Sequence, residues 1–177
     1  MIYIVTALKS EAQAFVDYYK LTKSKLGDFT LFSNDKIFLL VSGMGVVNAR
    51  LGTQTLINHF DISDEDIYLN IGICGASKEF ALGELLEIGT IEHKEQKHRF
   101  KERLHTITCV DEPQHNATHT IVDMESFGFY DAVKHNPAIK NFFIFKVVSD
   151  HFEPQTVTKD KTKALIFNKI DTLKELI

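Results

Sequence analysis

The chain has 177 residues, of which 44% are hydrophobic and 25% charged, which fits one ordinary globular domain over residues 1–177 and excludes global disorder. A formal net charge of −4 speaks against a general binder of nucleic acid or anionic membrane, and no apolar run approaches the roughly 18 residues a membrane helix needs. Two cysteines, Cys74 and Cys109, are too few for a disulfide framework and lack metal-type spacing, so reduced thiols in a cytoplasmic protein are expected.

The opening "MIYIV" is β-branched and aromatic and predicts a buried strand. The segment after it, through "LKSEAQAFVDYYKL", meets polar residues too early for a secretion signal and places Ala12, Phe15 and Tyr19 on a helical stripe. "FTLFSNDKIFLLVSG" reads as a hairpin turning at Ser-Asn-Asp, and "VVNARLGTQTLINHF" as a helix with Val47, Leu51, Thr55 and Leu56 on one side. Two further strands follow, "IYLNIGICGA" and "GELLEIGTIEH". Residues 93–103 are dense in mixed charge without apolar periodicity and are expected to be a solvated loop or helix face. "LHTITCV" predicts a strand and 111–120 a loop, in which His115 and His119 are taken as solvated rather than metal ligands. A helix over 125–135, a strongly apolar strand "NFFIFKVVS" and an amphipathic helix over 159–177, through Ile166, Ile170, Leu173 and Ile177, complete the chain. Strands alternating with helices imply an α/β domain with a largely buried central sheet.

In such sheets ligands bind beyond the carboxyl ends of the strands. Four features fall there: Glu11 after the first strand; "SGMGVVNA", whose Gly43 and Gly45 let backbone approach a ligand before a helix N-terminus; "NIGICGA", with Gly72 and Gly75; and "VVSDHFEP", where Ser149 and Asp150 end the most apolar strand. Each alone also fits a turn, a cap or close packing. Together, Glu11, Glu125 and Asp150 would converge on one sheet edge, and separate carboxylates suit the breaking of a glycosidic bond. One acid protonates the leaving group, one base activates water, and others hold sugar hydroxyls.

The ordered set "ALKSEAQAF", "VSGMGVVNA", "NIGICGA" with "LGELLEIG", "VDMES" and "VVSDHFEP" resembles the nucleoside phosphorylase superfamily nearly end to end, and most of all its 5′-methylthioadenosine/S-adenosylhomocysteine nucleosidase branch. The resemblance implies a three-layer α/β/α fold with a central mixed β-sheet, and cleavage of the N-glycosidic bond of a purine nucleoside. It implies Asp150 as the acid that protonates the departing purine and Glu11 as the carboxylate that activates water. Met124 and Glu125 would lie against the ribose, with Gly75 and Ser149 beside the substrate. Gly43, Gly45 and Lys146 are the expected phosphate or water site. No cofactor and no metal are implied, and a homodimer is.

Departures from the family pattern are Ile73 where nucleosidases carry Ser, Lys146 where many members carry Arg, and a shortened stretch between 92 and 120. Lys keeps the charge but not the bidentate fork. The family's base-stacking residue does not map onto the shortened stretch, where Phe100 is the one aromatic candidate. Asp123 is expected in a capping or surface role, and Cys74 as a small packing residue. Two alternatives stand beside hydrolysis: a phosphate-dependent phosphorylase, and a nucleoside-binding homolog with impaired catalysis.

Overall fold

The computed structural model describes residues 1–176. Strands β1 (Ile2–Thr6), β4 (Ile37–Val41) and β5 (Ile67–Ala76) run parallel and adjacent, and β10 (Asn141–Asp150) lies parallel to β5 on its other side. These are the apolar runs of the sequence, as expected for strands covered on both faces. Strand β6 (Leu85–His93) pairs antiparallel with β10 through residues 85–87, then parallel with β8 (His105–Cys109); β8 pairs with β9 (Ile121–Asp123), which returns antiparallel to β5. Strands β5, β10, β6, β8 and β9 thus close a ring, from which β1, β4, β3 (Phe29–Ser33) and β2 (Thr22–Leu26) extend as an open wing.

Helices cover both faces. Along β1, Tyr3 and Val5 point to one side, where they join Leu56 and Ile57 of α2 (Val46–His59) and Phe129 and Val133 of α3 (Ser126–Lys134). Ile4 points to the other, against Ala12 and Phe15 of α1 (Lys9–Tyr19), Ile166 of α4 (Lys159–Phe167), and Ile170 and Leu173 of α5 (Ile170–Leu176). The result is the expected three-layer arrangement around a mixed sheet.

Several local expectations change. The predicted hairpin is a three-stranded meander, because "TKSKL" forms β2, an edge strand exposed at every position except Leu26. The charged segment 93–103 contains β7 (Gln96–Arg99), a second polar edge strand paired with β6. In α2 the stripe through Val47 and Leu51 faces solvent, at 68% and 55% exposure, and the helix buries Ala49, Gly52, Thr53, Leu56 and Ile57 instead. The terminal helix is two helices: a tight turn, with the Lys169 N–H donating to the Ile166 carbonyl, separates α4 from α5. Ile177, placed on the same stripe, lies outside the described residues.

Candidate active site

Because β1, β4, β5 and β10 are parallel, their carboxyl ends share one edge, and β9 delivers Asp123 to the same edge. A cavity of about 260 Å³ opens there, and Glu11, Asp123, Met124, Glu125, Ser149 and Asp150 all line it. Gly75, Ile73 and Cys74 of β5 form part of its wall.

Glu11 sits in the first turn of α1 and closes the start of its own helix. Its Oε2 accepts the Ala7 and Leu8 N–H groups at 3.0 and 2.8 Å, and its Oε1 accepts the Ile73 N–H at 2.9 Å. The carboxyl is 2% exposed. Burial raises its pKa above the ordinary value, against the pull of those N–H groups and of Lys146. A Cβ on Gly72 would lie 2.8 Å from Oε1, so the glycine is what leaves room for this carboxylate. The replacement of Ser by Ile at 73 leaves this bond intact, since the donor is backbone.

Asp150 ends β10. Its Oδ1 accepts the Glu153 N–H at 2.8 Å, and the Ser149 hydroxyl lies 2.7 Å from its Oδ2 and 3.1 Å from the Cys74 carbonyl. A Cβ on Gly75 would meet Val122 at 3.3 Å and Asp150 Oδ1 at 3.5 Å, so a larger residue here would crowd the acid. Cys74 is buried beside this acid, and burial pushes its thiol above the ordinary range, which disfavours the thiolate.

Glu125 receives the Gly45 N–H on Oε1 at 3.0 Å. Gly43 and Gly45 hold φ values of +88° and +93°, a backbone region that favours glycine, and this turn aims the Gly45 N–H at the carboxylate. Burial and the neighbouring Asp123 push the Glu125 pKa up to about 7, against Lys146 and the Gly45 N–H.

Lys146 and Asp123 form a buried ion pair at 2.8 Å, their side chains 1% and 0% exposed. Burial alone would depress the lysine pKa; Asp123, Glu125 and Glu11 outweigh it and raise the pKa instead. Asp123 also accepts the Ser126 N–H at 2.8 Å and the Ser126 hydroxyl at 2.6 Å, at the start of α3. It is therefore a capping residue, as expected, but a buried one and not on the surface. The phosphate or water site expected of Gly43, Gly45 and Lys146 is not left open: the Gly45 N–H is held by Glu125 and the Lys146 ammonium by Asp123, while Gly43 donates to the Ala7 carbonyl.

Phe100 is corrected outright. Its ring packs against Tyr130 and Phe142 with centroids 5.1 and 5.3 Å away, within the core and off the cavity. The cavity is lined instead by Val110 just after β8, by Pro113 and Gln114 of the 111–120 loop, and by Val157 after a 3₁₀ turn at Pro154–Thr156. Pro113, Gln114 and Val157 gave no signal because loop residues carry no periodicity, and Val110 was legible only as the end of a strand.

No protein-family model matches the chain, and no curated protein sequence does. Solved structures do. The 5′-methylthioadenosine/S-adenosylhomocysteine nucleosidase of Neisseria meningitidis, in complex with methylthio-immucillin-A, superposes with a TM-score of 0.77 at 14% identity over 99% of each chain. Futalosine hydrolase of Helicobacter pylori gives 0.80 at 14% identity, over 99% of this chain and 96% of that one. The 5′-methylthioadenosine nucleosidase of Arabidopsis thaliana gives 0.75 at 17%, over 97% and 95%. At these identities the likeness is one of fold, and the chain has the α/β fold of the nucleoside phosphorylase and nucleosidase type along its whole described length.

Proposed function

We propose that this protein hydrolyses the N-glycosidic bond of a purine nucleoside. The observation that carries the reading is the meeting of Glu11, Glu125 and Asp150 on one cavity at the carboxyl edge of the sheet. In the proposed reaction, protonated Asp150 gives its proton to the purine as the bond from C1′ to the ring nitrogen breaks. The ribose acquires positive charge, which the nearby carboxylates favour. Glu11 accepts a proton from water, whose oxygen bonds to C1′, and the proton returns to Asp150 through solvent. Glu125 accepts hydrogen bonds from ribose hydroxyls, with Met124 against the sugar.

Water is favoured over phosphate by charge. Among the described residues four carboxylates and no lysine or arginine line the cavity, and the one ammonium behind it is paired with Asp123. A phosphate dianion would enter a negative field. The test is release of free base from purine nucleosides, with and without phosphate, in wild type and in Asp150→Asn. Loss of the general acid is expected to slow release by about 10²–10⁴-fold. Turnover that requires phosphate would move the reading to a phosphorylase, and binding without any turnover would move it to a non-catalytic homolog.

We also infer a homodimer in the cytoplasm. Met44, Val47 and Leu51 leave 60%, 68% and 55% of their surface exposed along α2 and the turn before it, an apolar strip beside the cavity suited to a second copy. Both cysteines are free and buried, which suits a reducing compartment. Light scattering is expected to give a dimer mass for wild type and a monomer mass for Val47→Asp; a monomeric wild type would reject the dimer.

A further inference from the structure

Among the described residues, five other than glycine hold a positive φ: Lys20, Lys94, Glu95, Arg103 and Phe152. The first four are charged and exposed, in turns or bends or at a helix end, where water takes the side chain. Phe152 differs from all of them. It is apolar and buried, at 5% exposure, and it holds φ +63° two residues after Asp150. A bulky side chain is an outlier in this left-handed region. Such a conformation costs on the order of 1–3 kcal/mol and persists only where its surroundings impose it.

The surroundings here are β5 and the end of β10. The register between the two shifts at Ser149: Val148 pairs with Cys74 and Asp150 with Gly75, so Ser149 is the extra residue of a bulge. The His151 Nδ1 lies 2.9 Å from the Ala76 carbonyl, which can only accept, so this nitrogen carries a proton and ties the turn to β5. The Phe152 ring lies over Gly75, where an added Cβ would stand 3.7 Å from its Cδ1. Within this turn the chain reverses, and the Glu153 N–H comes back to Asp150 Oδ1 at 2.8 Å. The Ser149 hydroxyl holds the other oxygen, Oδ2, at 2.7 Å. Both oxygens of the acid are thus fixed, one by the bulge and one by the reversal at Phe152.

We propose that Phe152 is a positioning residue for the general acid: its buried ring holds the left-handed turn that keeps the Glu153 N–H on Asp150. This deepens the nucleosidase reading and rests on it for the role of Asp150. A hydrogen bond to a carboxyl oxygen strengthens as the group gives up its proton and gains negative charge. The Glu153 N–H therefore favours the transition state over the bound substrate, and its loss lowers kcat rather than affinity. The same bond fixes the plane of the carboxyl, and with it the direction in which the proton leaves.

The experiment compares wild type with Phe152→Val and Phe152→Leu on two substrates, adenosine and 4-nitrophenyl β-D-ribofuranoside. Val adds a branch at Cβ that disfavours the left-handed region further, whereas Leu keeps an unbranched Cβ and an apolar side chain of similar reach. Nitrophenolate departs without a proton, so a defect in the acid spares the second substrate. Phe152→Val is expected to lower kcat on adenosine by about tenfold or more, the scale of one hydrogen bond to a charged group. Its KM is expected to stay within about twofold, its rate on the nitrophenyl riboside to hold, and Phe152→Leu to stay near wild type on both. An equal loss on the two substrates, a change confined to KM, or no loss would overturn the proposal. Hydrogen exchange of the Glu153 amide, read by NMR on the same proteins, does not depend on turnover. It is expected to be slow in wild type and in Phe152→Leu, and faster by about tenfold in Asp150→Ala and Phe152→Val. That pattern without base release from any nucleoside would retain the positioning and reject the nucleosidase reading. Exchange unmoved by Phe152→Val would reject the inference whatever the activity.

Discussion

Lys146 is enclosed on all sides, and the position of its ammonium 2.8 Å from Asp123 is what makes that burial tolerable. Replacing it by Met would strand Asp123 beside Glu125 and Glu11 without a counter-charge. We expect Lys146→Met to destabilise the fold by about 3–5 kcal/mol in urea denaturation, and Asp123→Asn in the same chain to recover part of the loss. Equal stability of single and double variants would show that the pair is not coupled. The contrast with Glu11 and Asp150 explains what was legible at this scale. Their place on the cavity was legible because each stands at or near the carboxyl end of an apolar strand, Glu11 in the helix turn after β1 and Asp150 as the last residue of β10. The role of Asp123 depends on a lysine on a different strand, and nothing local in "VDMES" announces that partner. The resemblance implied a phosphate or water site at Lys146 because it stands where many members carry Arg, and its partner on another strand left no mark in the local sequence. Loop residues such as Gln114 gave no signal at all, since a wall of a cavity needs only to be in the right place.

At the scale of elements, the packing of α2 on α3 turns on a single missing side chain. A Cβ on Gly128 would lie 2.1 Å from the Val46 carbonyl oxygen and 2.9 Å from the Arg50 nitrogen, both backbone atoms of α2. Gly128→Ala must therefore push the helices apart, at a cost expected to be about 1–3 kcal/mol or more by chemical denaturation. Because α2 begins at the turn that aims the Gly45 N–H at Glu125, the same variant is expected to raise KM for the nucleoside. A variant as stable as wild type would mean that the helices approach less closely than this. The apolar strands and the helices of the core were legible because burial on two faces, or on one stripe, writes a period into the sequence. Strands β2 and β7 were not, since edge strands that face water are held by backbone pairing and carry no such period. The stripe of α2 misled for a related reason: Val47 and Leu51 have helical spacing but point outward, where only another molecule would cover them.

The charge of the site reaches the stability of the whole molecule through linkage. Glu125 is pushed up to about 7 and Glu11 is raised, whereas both carboxyls start from an ordinary value of 4.5. Between those limits the folded chain holds protons that the unfolded chain has released, so stability from these groups falls as pH rises from 4.5 toward 7. His98, whose pKa is lowered mainly by burial, acts in the opposite sense below 6.5. The pairs that lower the carboxyl of Asp66 matter only below 3.8, and the raised Lys146 only above 10.5. The wild-type curve is a sum of these terms, and the difference between wild type and Glu125→Gln isolates one of them. That difference is expected to move against wild type by about 1–3 kcal/mol between pH 5 and pH 8, read from urea denaturation at each pH. A difference that stays constant would place the Glu125 carboxyl at its ordinary value. The same titration bears on catalysis, because an ionised Glu125 is the better acceptor for ribose hydroxyls. Nucleoside affinity in wild type is then expected to rise with pH through about 7, over the range in which the stability contributed by Glu125 declines.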